Sequence, residues 1–224
     1  MLAKEGETVV RSVEEVIQAV FSDMNDVLCI KNSDIPDIDL YMDQVLSFLN
    51  DKLKNTHCDG EEKDCALTKT MINNYAKNDL LPSPVKKKYS KEHMMVLVFI
   101  YYFKNFLSIN DVQKMLNPLL EKYFDNDEGM NFEDVYSEVF NLGEARIDFL
   151  KEDITEKYKA SLNSFENVSG EDAELLRTFT YICYLSYDIF YKKLLVQELI
   201  EEIDRKHELK ERNLISFDSK SKKK

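Results

Sequence analysis

The sequence predicts an all-α protein, and three observations lead to that prediction. Glycine and proline number only 5 and 4 in 224 residues, so repeated hairpins with glycine turns are not expected. The residues typical of long amphipathic segments, such as Leu, Glu, Lys, Asp and Asn, make up much of the rest. Apolar residues recur at steps of three and four, which is the spacing of a helix with one buried face.

The first half of the chain is expected to contain five helices, placed by their apolar spacing and, for the second to the fifth, by a capping residue. The caps are Asp37 or Asp39 for the second helix, Thr68 for the third, Ser90 for the fourth, and Ser108 or Asn110 for the fifth. The expected ranges are 12–24, 40–54, 68–78, 91–106 and about 108–124. The polar segment 55–66, which contains a glycine, is predicted to be a loop.

The second half is expected to form a bundle of two long helices at about 131–164 and 170–208. Residues 175–196 are apolar on nearly every side, so we expect other helices or a partner subunit to surround them. The implied organisation is an amphipathic helix in 1–34 that packs on the C-terminal half, a unit at 35–125, a helical dimerisation domain at 126–210, and a flexible tail at 211–224.

Charge and hydropathy patterns limit the function classes. The formal net charge is -12, so the surface as a whole cannot be a face for polyanions. The N-terminus lacks the apolar core of a signal peptide and no uncharged run of about 18 apolar residues occurs, so we expect a cytoplasmic protein that does not enter membranes. His57, Cys58 and Cys65 are conceivable ligands, but without a CxxC pair we expect free thiols, no metal and no cofactor.

Positive charge is concentrated in one stretch, residues 68–91. Six lysines against Asp79 give this stretch a charge of +5, which leaves -17 on the remainder of the chain. The lysines are Lys69, Lys77, Lys86, Lys87, Lys88 and Lys91. Such segregation is typical of a local anion-binding patch, and double-stranded DNA is the commonest polyanion that proteins bind.

The order of the elements around this stretch indicates a winged helix-turn-helix. The short helix at 68–78 directs Met71, Ile72 and Tyr75 inward, and its opposite face can donate to phosphates and read base edges. That face carries Lys69, Thr70, Asn73, Asn74 and Lys77. Two prolines prevent "LLPSPVKKKY" from being helical, so this segment is expected to form a basic flap beside the short helix.

Three segments, "LTKTMINNYAKNDLLPSP", "KYSKEH" and "LVFIYYFKNFLSINDVQKML", together resemble the N-terminal DNA-binding unit of the MerR family of transcription regulators. More closely, "IPDIDLYMDQVLSFLNDKL" with the following segments is similar to the bacterial domain of unknown function 1836. The resemblance covers about residues 35–125. It implies a MerR-like winged helix-turn-helix, a role in transcription regulation, and a homodimer joined through the long helix that follows the DNA-binding unit, for which residues 131–164 are the expected segment.

The resemblance also implies a role for individual residues. It places Lys69, Thr70, Asn73, Asn74 and Lys77 on a recognition helix, and Lys86, Lys87, Lys88 and Tyr89 in a basic wing, with Lys91 directly after it. The family usually presents arginines on its recognition helix, whereas this chain has none between Arg11 and Arg146. Lysine cannot fork onto guanine, so Asn73 or Asn74 facing adenine is the best candidate for base readout.

Two other classes of function compare less well with the sequence. An enzyme is not expected, because there is no phosphate-binding glycine loop and no nucleophile and base can be nominated. The alternative to a DNA-binding regulator is a helical module for protein–protein interaction that uses the lysine patch on an acidic partner.

Tyr184, Tyr187 and Tyr191 lie at helical spacing. Such a stripe either lines an effector pocket or, more commonly, forms the rim of a core.

Overall fold

The computed structural model describes residues 11–27, 30–53 and 67–221. Its elements are α1 (Val13–Val27), β1 (Leu40–Tyr41), α2 (Met42–Leu53), α3 (Lys69–Lys77), β2 (Lys88–Tyr89), α4 (Lys91–Phe103), α5 (Ile109–Tyr123), α6 (Phe132–Glu144), α7 (Ile147–Leu162) and α8 (Glu171–Ser221), with a 3-10 turn at Asn32–Asp34. The fold is mostly helical, as predicted. The predicted loop at 55–66, with His57, Cys58 and Cys65, lies outside the described residues.

The helices of the second half differ from their predicted bounds. The single helix expected over 131–164 is divided into α6 and α7. At the break, Arg146 N–H donates to the carbonyl of Gly143, three residues earlier, at 3.0 Å, which is the 3-10 pattern instead of the α-helical one. Glycine also has a low helix propensity. The last helix continues beyond 208 to Ser221, so the backbone of 211–221 is helical where the sequence predicted a tail.

The centre of the core is α4. The apolar run "MMVLVFIYYF" at 94–103 predicts a buried helix segment, and every residue from His93 to Tyr101 is buried. The ring of Phe99 meets the rings of Phe132 and Tyr136 at centroid distances of 6.0 and 5.4 Å. Helix α6 is therefore held against α4 by an aromatic cluster.

The long helix α8 joins the two halves of the molecule. It packs against α7 near its start and against α5 further along. On α5, Lys114 Nζ lies 2.6 Å from Glu201 and 3.3 Å from Asp204 of α8. Helix α1 lies against α7, where the Tyr158 hydroxyl donates to the carboxylate of Glu14.

Candidate nucleic-acid interface

Helix α3 presents one apolar and one polar face. Thr68 caps it by accepting a hydrogen bond from Met71 N–H at 3.2 Å. Ile72 and Tyr75 are buried, and Met71 packs against the core cluster. The opposite face is exposed to solvent along the whole helix and consists of Lys69, Thr70, Asn73, Asn74 and Lys77. The structure thus brings the five candidate residues of the helix together on one surface.

The start of α3 is held by a side chain of α2. Asn50 accepts a hydrogen bond from Leu67 N–H at 2.9 Å and donates one to the Leu67 carbonyl at 3.0 Å. Leu67 itself is buried. Because Leu67 directly precedes the cap of α3, these two bonds fix the entry of α3 relative to α2.

The C-terminal end of α3 is also fixed by hydrogen bonds. Asp79 adopts a left-handed conformation, with φ of +54°, and the N–H groups of Leu80 and Leu81 both bond the carbonyl of Tyr75. Gln113 of α5 donates to the carbonyl of Asn78 at 2.7 Å. Helix α3 is therefore positioned from both ends on the helical core.

The flap after α3 is a small β-structure. Strands β1 and β2 pair antiparallel, with Leu40 opposite Tyr89 and Tyr41 opposite Lys88. Val85 bridges Lys88, whose N–H bonds the Val85 carbonyl at 2.9 Å. Lys86 and Lys87 form the turn between them, and both have positive φ, +52° and +65°, as in a type I′ turn.

The turn displays its lysines to solvent. The side chains of Lys86 and Lys87 are exposed, and Lys88 Nζ lies 5.3 Å from the centroid of the Tyr41 ring. In the described part of the chain, none of the three takes part in an ion pair. Lys86 lies nine positions after Lys77, a span of at most about 32 Å. The C-terminal end of the α3 face and the turn therefore fall within about one helical turn of B-DNA, roughly 34 Å.

The side chains of two candidate residues, Tyr89 and Lys91, are not available at the surface. Tyr89 is only 4% exposed and packs edge to face on His93, so its ring belongs to the core. Lys91 is 16% exposed, with Nζ 2.6 Å from Asp37 and 3.1 Å from Glu133. Burial acts to lower the pKa of Lys91, but the two carboxylates outweigh it and raise the pKa above its ordinary value. The charge of Lys91 is thus compensated within the fold.

His93 connects the flap to the core. Its Nδ1 accepts a hydrogen bond from Ser90 N–H at 3.1 Å, which completes the capping box at the start of α4. Its ring also meets that of Phe124 at 4.8 Å. Burial lowers the pKa of His93, while the carbonyls of Ser83 and Pro82 act in the opposite direction. His93 is therefore a neutral structural link at pH 7.

Sequence reasoning missed Asn50, Gln113 and Tyr41. A signal for Asn50 was present, because it lies four residues after Leu46 and three before Leu53, on the apolar face of α2. A polar side chain at such a position needs a partner. For Gln113 and Tyr41 no such signal exists, since their partners come from elements distant in sequence.

Three further features concern the tyrosines of α8, metal ligands and membrane spans. Tyr184, Tyr187 and Tyr191 are exposed on α8. Among the described residues, no cluster of three or more His, Cys, Asp or Glu side chains could hold a metal ion. Of the helices in the described ranges, none combines the length and apolarity needed to cross a membrane.

Comparison with known families supports the sequence resemblance in part. Residues 30–139 match the model of the family described as "Domain of unknown function (DUF1836)". The similarity to this domain predicted for about residues 35–125 is thereby confirmed. A search of curated proteins and a search of solved structures each found no significant match.

Proposed function

We propose that this protein is a DNA-binding transcription regulator with a MerR-like winged helix-turn-helix. The observation that carries the proposal is the presence of two exposed surfaces on one packed core. One is the polar face of α3, and the other is the lysine turn at residues 85–88. A short helix held at both ends beside a basic flap is the arrangement with which winged helices enter a major groove and touch the flanking phosphates.

The two surfaces have different tasks in this proposal. Lys69, Lys77, Lys86 and Lys87 contact phosphates, where a point charge suffices. Asn73 and Asn74 face the base edges, and a side-chain amide can bind adenine with two hydrogen bonds. Thr70 donates to a phosphate or a base. Lys91 and Tyr89 act as supports, because their side chains are occupied inside the fold.

We also propose that the regulator is a homodimer joined through α8. Tyr187, Tyr191, Leu195 and Leu199 follow one another at four-residue steps, and all are exposed. Among the residues of α8 whose exposure the structure describes, the other exposed large apolar ones are Leu175, Phe179, Ile182, Tyr184, Ile189, Phe190, Leu194, Ile203 and Leu209. These residues lie on several sides of α8, so one partner copy can cover only some of them, and the row at four-residue steps is the side that we assign to the interface.

The experiment is a salt titration of binding to a fluorescein-labelled random DNA duplex, followed by fluorescence anisotropy on the full chain. The parent is compared with Lys86→Glu/Lys87→Glu. The matched control is Lys159→Glu/Lys210→Glu, which alters the net charge equally at exposed positions of α7 and α8. For each phosphate that a variant no longer neutralises, the slope of log affinity against log salt is expected to fall by about 0.9.

The outcomes separate the rival functions. Steep salt dependence in the parent and in the control, flattened in the turn variant, supports DNA binding through the lysine turn. Equal weakening in both variants would indicate a nonspecific effect of net charge. Absence of binding by the parent at low salt would overturn the proposal and favour a module that docks the lysines on an acidic protein.

A further inference from the structure

The solvent face of the small sheet carries three side chains in a row. In an antiparallel ladder, residues directly opposite each other project to the same face. Tyr41 is opposite Lys88, and Lys88 is opposite Val85, so these three share a face, while Leu40 and Tyr89 are buried on the other. Tyr41 is 53% exposed and Val85 70% exposed. An aromatic ring, a cation and a branched aliphatic group therefore lie side by side in solvent.

The chemistry of this row limits what can cover it. An apolar protein surface would have to take Lys88 out of water beside Lys86 and Lys87, which is costly without carboxylate partners. A DNA strand instead alternates phosphates with the apolar faces of its sugars. The row matches that alternation, since the ammonium of Lys88 lies between two apolar groups and already rests over the Tyr41 ring.

We propose that Tyr41, Lys88 and Val85 form a second DNA contact, in which Lys88 meets a phosphate and the two apolar side chains pack on the adjoining deoxyriboses. This inference rests on the proposed DNA-binding function and adds a contribution that does not depend on charge. Strand β1, which precedes the helix-turn-helix, thereby becomes part of the interface.

The test uses the full chain and the same labelled random duplex at several salt concentrations. Tyr41→Ala is expected to weaken binding about eightfold without changing the salt slope, because roughly 50 Å² of apolar surface is no longer buried against the sugar. Tyr41→Phe keeps the ring and is expected to bind within about twofold of the parent. Ile109→Ala, an exposed apolar position at the start of α5, serves as the matched control and is expected to have no effect.

A second variant shows whether any loss of binding in Tyr41→Ala comes from a folding defect. Val85→Thr keeps the branched shape and replaces a methyl with a hydroxyl, and it is expected to weaken binding about twofold at constant slope. Thermal unfolding by circular dichroism is recorded for every variant. If the parent binds DNA and both Tyr41→Ala and Val85→Thr bind equally well, the second contact is overturned while the proposed function stands. If the parent itself does not bind, both are overturned.

Discussion

The side-chain amide of Asn50 pairs with both backbone polar groups of Leu67, at 2.9 and 3.0 Å. Through this pair, α2 holds the first residue before the cap of α3, although the two residues are 17 positions apart. A helix-turn-helix depends on a constant angle between its two helices. In the proposed helix-turn-helix the pair would supply that constraint locally, without a tight turn between α2 and α3.

We predict that Asn50→Ala destabilises the fold and weakens DNA binding. The substitution leaves the partly buried N–H and carbonyl of Leu67 without their partner, at a cost of about 1–3 kcal/mol in the free energy of unfolding. Urea denaturation gives that value and fluorescence anisotropy gives the affinity. Ser47→Ala, at an exposed position of α2, is the control. A free energy equal to that of the parent would contradict the role assigned to Asn50.

We predict that the lysine turn lowers the stability of the protein, because two lysines replace residues that would fit its backbone conformation better. Lys86 and Lys87 both occupy the left-handed region, which Asn-Gly accommodates far better. Lys86→Asn/Lys87→Gly is therefore expected to raise the free energy of unfolding by about 1 kcal/mol while lowering DNA affinity. Lys86→Ala/Lys87→Ala removes the same charges and keeps the strain. Equal stability of the two variants would show that the turn is not strained.

Stability is predicted to fall in mild acid because of His93. Its pKa is lowered by burial, so between the unfolded value near 6.5 and the folded value the unfolded chain binds more protons. The stabilisation is complete above about pH 6.5 and is lost as the pH falls towards the folded pKa, by at most about 1.4 kcal/mol per pH unit.

The measurement for His93 is urea denaturation between pH 7.5 and 5.5, compared with His93→Gln. Glutamine can still accept from Ser90 N–H and complete the capping box, but it does not titrate. The comparison also cancels nearby groups, among them Glu92, whose pKa is raised by burial, and the carboxylates of Asp39 and Asp125. A parent and variant with the same pH dependence would rule out His93 as its source.

Replacing apolar residues of α8 is predicted to dissociate the dimer. Tyr191→Glu/Leu195→Glu places two charges in the row that follows one side of the helix, where burial against a second copy would be costly. Sedimentation equilibrium is expected to give twice 26.3 kDa for the parent and 26.3 kDa for the variant. Lys193→Glu, an exposed polar neighbour, should remain dimeric. A monomeric parent would contradict the proposed assembly.

The residues of the candidate interface and of the core were predictable from the sequence to different degrees. The faces of α3 followed from spacing alone, because a helix repeats every 3.6 residues and its buried face is written into a few consecutive positions. The burial of α4 followed from a different signal, its uninterrupted apolar run. The break between α6 and α7 did not, since apolar spacing continues across Ala145 and only the local backbone turns there.

The sequence by itself determined that the fold is mostly helical, which face of α3 is buried and where the lysines are concentrated. Only the tertiary structure decided which of those lysines are available: Lys91 is paired with Asp37 and Glu133, 54 and 42 positions away, whereas Lys86 and Lys87 are exposed at a turn. It also decided that Tyr41 lies beside Lys88. The physical reason is that helical periodicity is a local property, whereas ion pairs and two-residue strands depend on contacts between distant segments that no spacing records.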